Sequence, residues 1–508
     1  MSGSLLVLGT SSGAGKSTVV TGLCRSLHRR GIAVAPFKAQ NMSLNSYVTS
    51  ENGEMGRAQV VQARAARVEP EVRMNPVLLK PGSDVASQLV VMGQPAGELD
   101  GERWRAKGDL LELVVEAHDD LRRRFDVVIC EGAGSPAEIN LRASDIVNLG
   151  FAAAARVPAI LVGDIDRGGV FASLVGTLAV LGGTDQDLVR AVVINKFRGT
   201  RALLEDGLDR LVAMTDRPVL GVLPALPGRE VDTEDMTDFS SWADGPAPLG
   251  EEVLVIGVVA LPRASNLTDL DPLIDEPGVI VRALHRPEAM VGCDLVILPG
   301  TRATVSDLGW LRARGFEPAL ARRAASGAQI MGICGGYQML GREIVDGIES
   351  ASERVDGLGL LAVRTEFAAR KVLARPSARL ADGTTVTGYQ IHHGVVTREA
   401  GESLVGDEGC VVGAVSGTTW HGLFENDQWR RTFLTELARA SDKRVVVSPS
   451  TCFEDRREAR IEALADLVDE HLDVAALLAL VERGVTGRRP ARVRLALDAP
   501  QTSPSERQ

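Results

Sequence analysis

Between an apolar run at residues 5–8 and a helical pattern beginning near Lys16 lies Gly9-Thr-Ser-Ser-Gly-Ala-Gly-Lys-Ser-Thr18. No other feature constrains the fold as much. Glycines let backbone N–H groups converge on anionic oxygens, and a helix N-terminus with a lysine then holds the charge. Such a loop works where a strand feeds a helix, so it predicts a parallel α/β sheet with the ligand at the carboxyl ends of the strands. Gly13, Gly15, Lys16, Ser17 and Thr18 are the candidate ATP contacts, preceded by Thr10 and Ser11, and the Ser17 hydroxyl is a candidate Mg2+ ligand. A glycine-serine turn that merely opens a helix is the plainer alternative.

The rest of the first half supports the loop. Residues 32–36, 126–130, 159–163 and 191–194 are further short β-rich runs, and Val20, Leu23, Cys24 and Leu27 form one apolar stripe on the first helix. Alternation of this kind predicts a doubly wound parallel sheet. The run at 126–130 leads into Glu131-Gly-Ala-Gly134, placing a carboxylate at a strand end where a second magnesium-organising group is expected. Asn195, after the run at 191–194, is a candidate contact for the nucleotide base, with a loop contact as the equal alternative. The usual first glycine of such loops, five positions before Gly15, is replaced by Thr10, and Gly9 stands one residue earlier. That offset resembles the dethiobiotin synthetase branch of phosphate-loop proteins.

A chain of 508 residues is too long for one core. The expected division is an ATP-binding synthetase domain over 1–236, a Pro/Gly-rich linker over 237–252, a second α/β domain over 253–482 and a disordered tail over 483–508. A net charge of −11 argues against nucleic acid as a partner. No apolar run is long enough to cross a membrane, and the N-terminus lacks a signal-peptide pattern. The six cysteines form no CxxC pair, which fits a reducing cytoplasm. A homo-oligomer is left open.

The second half carries a different chemistry. Gly332-Ile-Cys-Gly-Gly-Tyr-Gln338 follows a strand-like run at 329–333 and precedes a helical pattern. A thiol on a sharp strand-to-helix turn is exposed, flanked by small residues and placed in a field that favours thiolate. Cys334 is therefore the candidate nucleophile, with the N–H of Gly335 and the loop containing Gly300 as oxyanion donors. A buried structural cysteine is the alternative that the flanking glycines disfavour. Its base must be one of seven histidines. His421 stands ahead, with His392 and His393 as runners-up.

Motifs along the chain, to about residue 480, resemble the cobyric acid synthase family of glutamine-dependent amidotransferases in cobalamin biosynthesis. Those that carry the resemblance are Phe37-Lys-Ala-Gln-Asn-Met-Ser-Leu-Asn-Ser46, Asn75-Pro-Val-Leu-Leu-Lys-Pro81, Glu131-Gly-Ala-Gly-Ser-Pro-Ala-Glu-Ile-Asn140, Gly163-Asp-Ile-Asp-Arg-Gly-Gly169, Leu261-Pro-Arg-Ala-Ser-Asn266 and the Cys334 and His421 segments. The resemblance implies a dethiobiotin-synthetase-like P-loop domain joined to a class I glutamine amidotransferase domain, with Cys334 as nucleophile and His421 as base. It also implies ATP- and glutamine-dependent amidation of the b, d, e and g carboxylates of adenosylcobyrinic acid a,c-diamide. Cobyrinic acid a,c-diamide synthase is the nearest alternative, but it carries an acidic motif where this chain reads Lys38-Ala-Gln-Asn-Met-Ser. A phosphate-loop switch with a vestigial glutaminase domain is the alternative from another class.

A corrinoid polycarboxylate bound by a net acidic protein needs local cations at the synthetase cleft, and Lys38, Lys80, Arg142 and Arg167 are the candidates, with a surface charge as the alternative for each. One departure stands out. Class I glutaminases complete a triad with a glutamate two residues after the histidine, and here that position is Leu423. Glu425 is the nearest acid and is assigned no role.

Overall fold

The computed structural model describes residues 2–81, 87–99, 108–226, 245–350, 354–486 and 489–493. Six parallel strands form the first sheet, in the spatial order Val219–Pro224, Val189–Phe197, Ala159–Asp164, Gly3–Gly9, Val127–Glu131 and Val34–Phe37. The central strand Gly3–Gly9 is buried throughout, as expected for a parallel strand covered on both faces. It delivers the chain into the glycine-rich loop and then into the helix Lys16–Arg29. Every strand expected in the first half is present: Gly3–Gly9, Ala159–Asp164 and Val189–Phe197 are longer than expected, and Val34–Phe37 and Val127–Glu131 are shifted toward the C-terminus.

The second sheet runs in the order Val279–Leu284, Leu254–Val259, Leu295–Leu298, Gln329–Ile333, Val415–Thr418 and Cys410–Val412. All neighbours are parallel except the last pair. Two smaller layers lie where the halves meet. One is a four-stranded sheet containing Gln40–Met42 and Val77–Pro81. The other includes the long antiparallel pair Val363–Ala374 and Gln390–Arg398.

One segment departs from the expected division. The helices Phe453–His471 and Val474–Arg483 do not join the second sheet. Ile461, Leu467, Val468, Leu472, Leu477 and Val481 are packed with Leu5, Val7, Val20, Leu23 and Leu27 in the core of the first half. Gly22 permits this contact, because a Cβ there would lie 2.5 Å from the Leu464 carbonyl oxygen. Arg25, 1% exposed, ion-pairs with Glu458 and Glu462 beside it. The stretch expected to close the second domain is thus part of the first core, since its apolar stripe matches the face of the first helix. The first half of the expected linker, residues 237–244, falls outside the described residues, as does most of the tail. Residues 489–493 of that tail are described, and Val493 donates its N–H to Gln186 Oε1 at 2.9 Å.

Candidate functional site

At the first loop, Gly15 has φ 96°, a left-handed conformation that favours glycine, and leads into the helix at Lys16. Lys16 Nζ donates to the carbonyl oxygens of Ser11 and Gly134, both at 3.1 Å. The loop is thus tied to the Gly-Ala-Gly turn after Glu131. Ser17 Oγ donates to Glu131 Oε1 at 2.8 Å, and Lys38 Nζ reaches the same oxygen at 3.0 Å. Gln62 donates to the other oxygen. Burial works against a charged Glu131, but Lys38, Lys16 and the Gln62 amide outweigh it and hold the carboxyl below its usual range.

Asn195 makes the loop contact that stood beside the base contact as a reading of its motif. Its amide donates to the Ala14 carbonyl at 3.0 Å and it is 3% exposed, so in this geometry it braces the loop. Lys196 Nζ donates to the Gly13 carbonyl at 2.7 Å. Thr10 donates its N–H to Val162, and Ser11 and Gly13 are exposed at the mouth of the loop.

The four basic candidates separate. Lys38 is 1% exposed and lies at Glu131, within the phosphate site. Arg142 makes a two-pronged pair with Asp185, at 2.7 and 2.9 Å. Lys80 is 4% exposed at the junction of the halves and holds Glu54. Arg167 is exposed after the strand Ala159–Asp164. The expectation that all four face a synthetase cleft does not survive for Lys80, whose strand carries it to the other site.

In the second half, the strand Gln329–Ile333 ends at Cys334, whose φ of 49° and ψ of −110° are strained for a non-glycine residue. The turn closes only because its neighbours lack side chains: a Cβ on Gly336 would sit 2.0 Å from the Leu298 carbonyl oxygen. Gly300 lies beside the histidine, since a Cβ there would sit 3.1 Å from His421 Cε1. Cys334 and His421 line one cavity, which Thr301 and Gln338 also border.

His421 is 1% exposed, and its Nδ1 lies 2.7 Å from Asp269 Oδ2. Asp269 Oδ1 accepts the N–H of Gly422 at 2.8 Å, which fixes the carboxylate plane. Burial opposes a charged imidazole, yet the Asp269 carboxylate and the Cys334 sulfur raise His421 to about 10. Tyr389 stacks on the ring with centroids 5.3 Å apart. The runners-up lie in the same cavity wall, but burial lowers His392 to about 4, and His393 Nδ1 faces the Ala368 carbonyl.

The third member of the Cys-His arrangement is therefore Asp269, which the motif search passed over. The acid close in sequence does something else. Glu425 lies 2.6 Å from Arg57 and 3.0 Å from Arg457, so it joins the two halves. The nearest signal for Asp269 was Leu261-Pro-Arg-Ala-Ser-Asn266, whose matched stretch stops three residues short.

A phosphate-loop sheet joined to a nucleophile-turn sheet with a Cys-His-Asp array defines a two-domain, ATP- and glutamine-dependent amidotransferase. Residues 5–233 match the CobQ/CobB/MinD/ParA nucleotide binding domain, and residues 255–429 match the CobB/CobQ-like glutamine amidotransferase domain. The chain is 52% identical over 497 residues to the cobyric acid synthase of Streptomyces avermitilis, covering 96% of this chain and 98% of that protein. It is 51% identical to the one from Streptomyces coelicolor (95% and 97% covered) and 50% identical to the one from Mycolicibacterium smegmatis (96% and 98% covered). The chain belongs to the cobyric acid synthase family. Among the described residues no helix is long and apolar enough to cross a membrane.

Proposed function

We propose that this enzyme amidates the b, d, e and g carboxylates of adenosylcobyrinic acid a,c-diamide to give adenosylcobyric acid, with ATP as phosphoryl donor and glutamine as nitrogen source. The observation that carries the reading is the strained Cys334 turn, sharing a cavity with a His421 held by Asp269, in a chain about half identical to cobyric acid synthases along nearly its whole length.

A carboxylate repels nucleophiles, so it must first gain a leaving group. Transfer of the γ-phosphoryl makes an acyl phosphate that ammonia then attacks, releasing phosphate. Lys16 and the loop N–H groups of Gly13 to Thr18 neutralise charge during that transfer. Ser17 and Glu131 offer hard oxygen donors 2.8 Å apart, a set that suits Mg2+. They would hold the ion, which supplies neutralisation of the phosphate oxygens. Lys38 keeps Glu131 ionised for that task.

At the other site the Cys334 sulfur attacks the glutamine amide carbon. Gly335 and the loop at Gly300 stabilise the oxyanion, and His421 gives its proton to the departing ammonia. Water then hydrolyses the thioester to glutamate. Asp269 holds the imidazole in the orientation that serves both steps. Ammonia released into neutral water would protonate, which motivates a shielded path between the halves. Their junction is closed by Tyr47 against Tyr389 at 5.0 Å between ring centroids and by the Arg57–Glu425 pair.

Arg167 is the basic residue we retain as a corrinoid contact. A reducing compartment suits six cysteines that are all unpaired. Incubation with ATP, glutamine and candidate corrinoids, with added amides counted by mass, tests the assignment. Four amides on the a,c-diamide are expected, and amidation of the a and c positions instead would move the enzyme to the a,c-diamide synthase activity.

A further inference from the structure

The cavity that holds Cys334 and His421 is also lined by three cations, Lys80, Lys371 and Arg302, and by one carboxylate, Glu349. All four are sheltered: the side chains of Lys80 and Lys371 are each 5% exposed, Arg302 11% and Glu349 13%. Glu54, wholly buried behind them, ties the lysines together, with Oε1 2.7 Å from Lys80 and Oε2 2.6 Å from Lys371. Asp346 also lies nearby, but its Oδ1 accepts the N–H groups of Ile348 and Glu349. Glu54, Glu349 and Asp346 thus stand beside the three cations, so the charges of the cluster balance.

What the cluster leaves open is hydrogen bonding, and an unpaired polar atom in a sheltered site is costly. Arg302 spends one nitrogen on Glu349 at 2.9 Å, while its Nε is buried with no hydrogen-bond partner among the described residues. An anion reaching this wall would satisfy that nitrogen. Glu349 beside it offers an acceptor for an ammonium group. The ligand that presents a carboxylate and an ammonium on one carbon, with an amide at its other end for Cys334, is an α-amino acid amide.

We propose that the zwitterionic head of glutamine is held by Lys371, Arg302 and Glu349 together with Lys80, so that the nucleotide-binding half completes the amino-acid pocket of the other half. The inference rests on the glutaminase reading above. Lys80 lies on the strand Val77–Pro81, in the small sheet that follows the phosphate site in sequence. It is held by Ser46 at 2.9 Å as well as by Glu54. Capture of glutamine is thereby tied to contact between the halves, through Lys80 and the Glu54 that joins it to Lys371.

The test compares two electrophiles on the full-length enzyme. Iodoacetamide is small and neutral and reports only the reactivity of Cys334. The amino-acid diazoketone 6-diazo-5-oxo-L-norleucine reports the same thiol plus recognition of the zwitterionic head. In Lys80→Met and Lys371→Met, inactivation by the diazoketone should slow by about 10- to 100-fold, the range for losing a charge-assisted hydrogen bond. The iodoacetamide rate should stay within about twofold, since neither lysine touches the sulfur. Lys80→Arg should recover most of the loss. Equal slowing by both reagents, as a collapsed turn would give, or no slowing by either, overturns the proposal. Native enzyme whose Cys334 ignores the diazoketone overturns the glutaminase reading too, whereas native reactivity unchanged in the Lys80 and Lys371 variants sinks this inference alone.

Discussion

Asp269 Oδ2 lies 2.7 Å from His421 Nδ1 although 152 positions separate them in the chain. The contact makes Asp269 the residue that sets the tautomer and tilt of the base. Asp269→Asn keeps the shape but offers an amide where a carboxylate stood. Glutaminase kcat should fall on the order of a thousandfold with little change in the KM for glutamine. Steady-state kinetics on purified variant decide it, and a kcat within about threefold of native would remove Asp269 from the array.

The same pair predicts a pH signature in stability. His421 titrates near 6.5 when unfolded and about 10 when folded, so the folded protein holds the proton more tightly. Its contribution is fully present below the unfolded value and is lost as pH rises through the folded one. The Tm gap between native enzyme and Asp269→Asn should therefore be widest near pH 6 and narrow toward pH 10. Thermal unfolding across that range checks the sign, and a gap that widens with pH contradicts the assignment.

Much of this arrangement was legible before any coordinates, and the gaps have a common cause. Strand-loop-helix order around Gly9 to Thr18 and around Cys334 is local, so spacing alone revealed both turns. Asp269 is non-local: a short 3-10 turn at Leu267–Leu270, entered through Asn266 at φ 52°, swings it under His421. Glu425, the nearest acid in sequence, is claimed by Arg57 and Arg457. Lys80 was read as a synthetase-cleft cation because nothing in Asn75-Pro-Val-Leu-Leu-Lys-Pro81 reports which neighbour a strand will face. Ile461, Leu464 and Val468 put an apolar stripe on the helix Phe453–His471, yet a stripe does not say which core it will cover.

Separating the two chemistries is the direct trial of the two-site account. Cys334→Ser should abolish glutamine-driven amidation while leaving ammonium-driven amidation within about twofold, because the nucleotide site contains no part of the turn. Isotope-labelled ammonium with product mass distinguishes the routes. Persistent glutamine-driven product would sink the nucleophile assignment.

Glu131 gathers Ser17, Lys38 and Gln62, so its charge organises the phosphate site. Glu131→Gln leaves Lys38 buried without its carboxylate. We expect ATP-dependent amidation to fall by at least about a hundredfold, the range for losing a preorganised electrostatic partner. Glutamine hydrolysis at Cys334 should continue. Raising Mg2+ should restore part of the loss only if Glu131 serves the ion, and a Mg2+ response identical to native would assign the residue to Lys38 alone.

The returning C-terminal helices make a stability prediction that the expected domain boundary would not. Leu477 is fully buried among Leu5, Val7 and their neighbours, so Leu477→Ala opens a cavity in the nucleotide-binding core. The expected cost is about 2–4 kcal/mol. If the helix belonged to the second core, the loss would appear in the glutaminase transition. Packed as it is, it should lower the denaturant midpoint followed by nucleotide binding, while Cys334 alkylation retains its native midpoint if the halves unfold separately. Both probes can be read on one urea series. A midpoint shift confined to the thiol probe would return the helix to the other half.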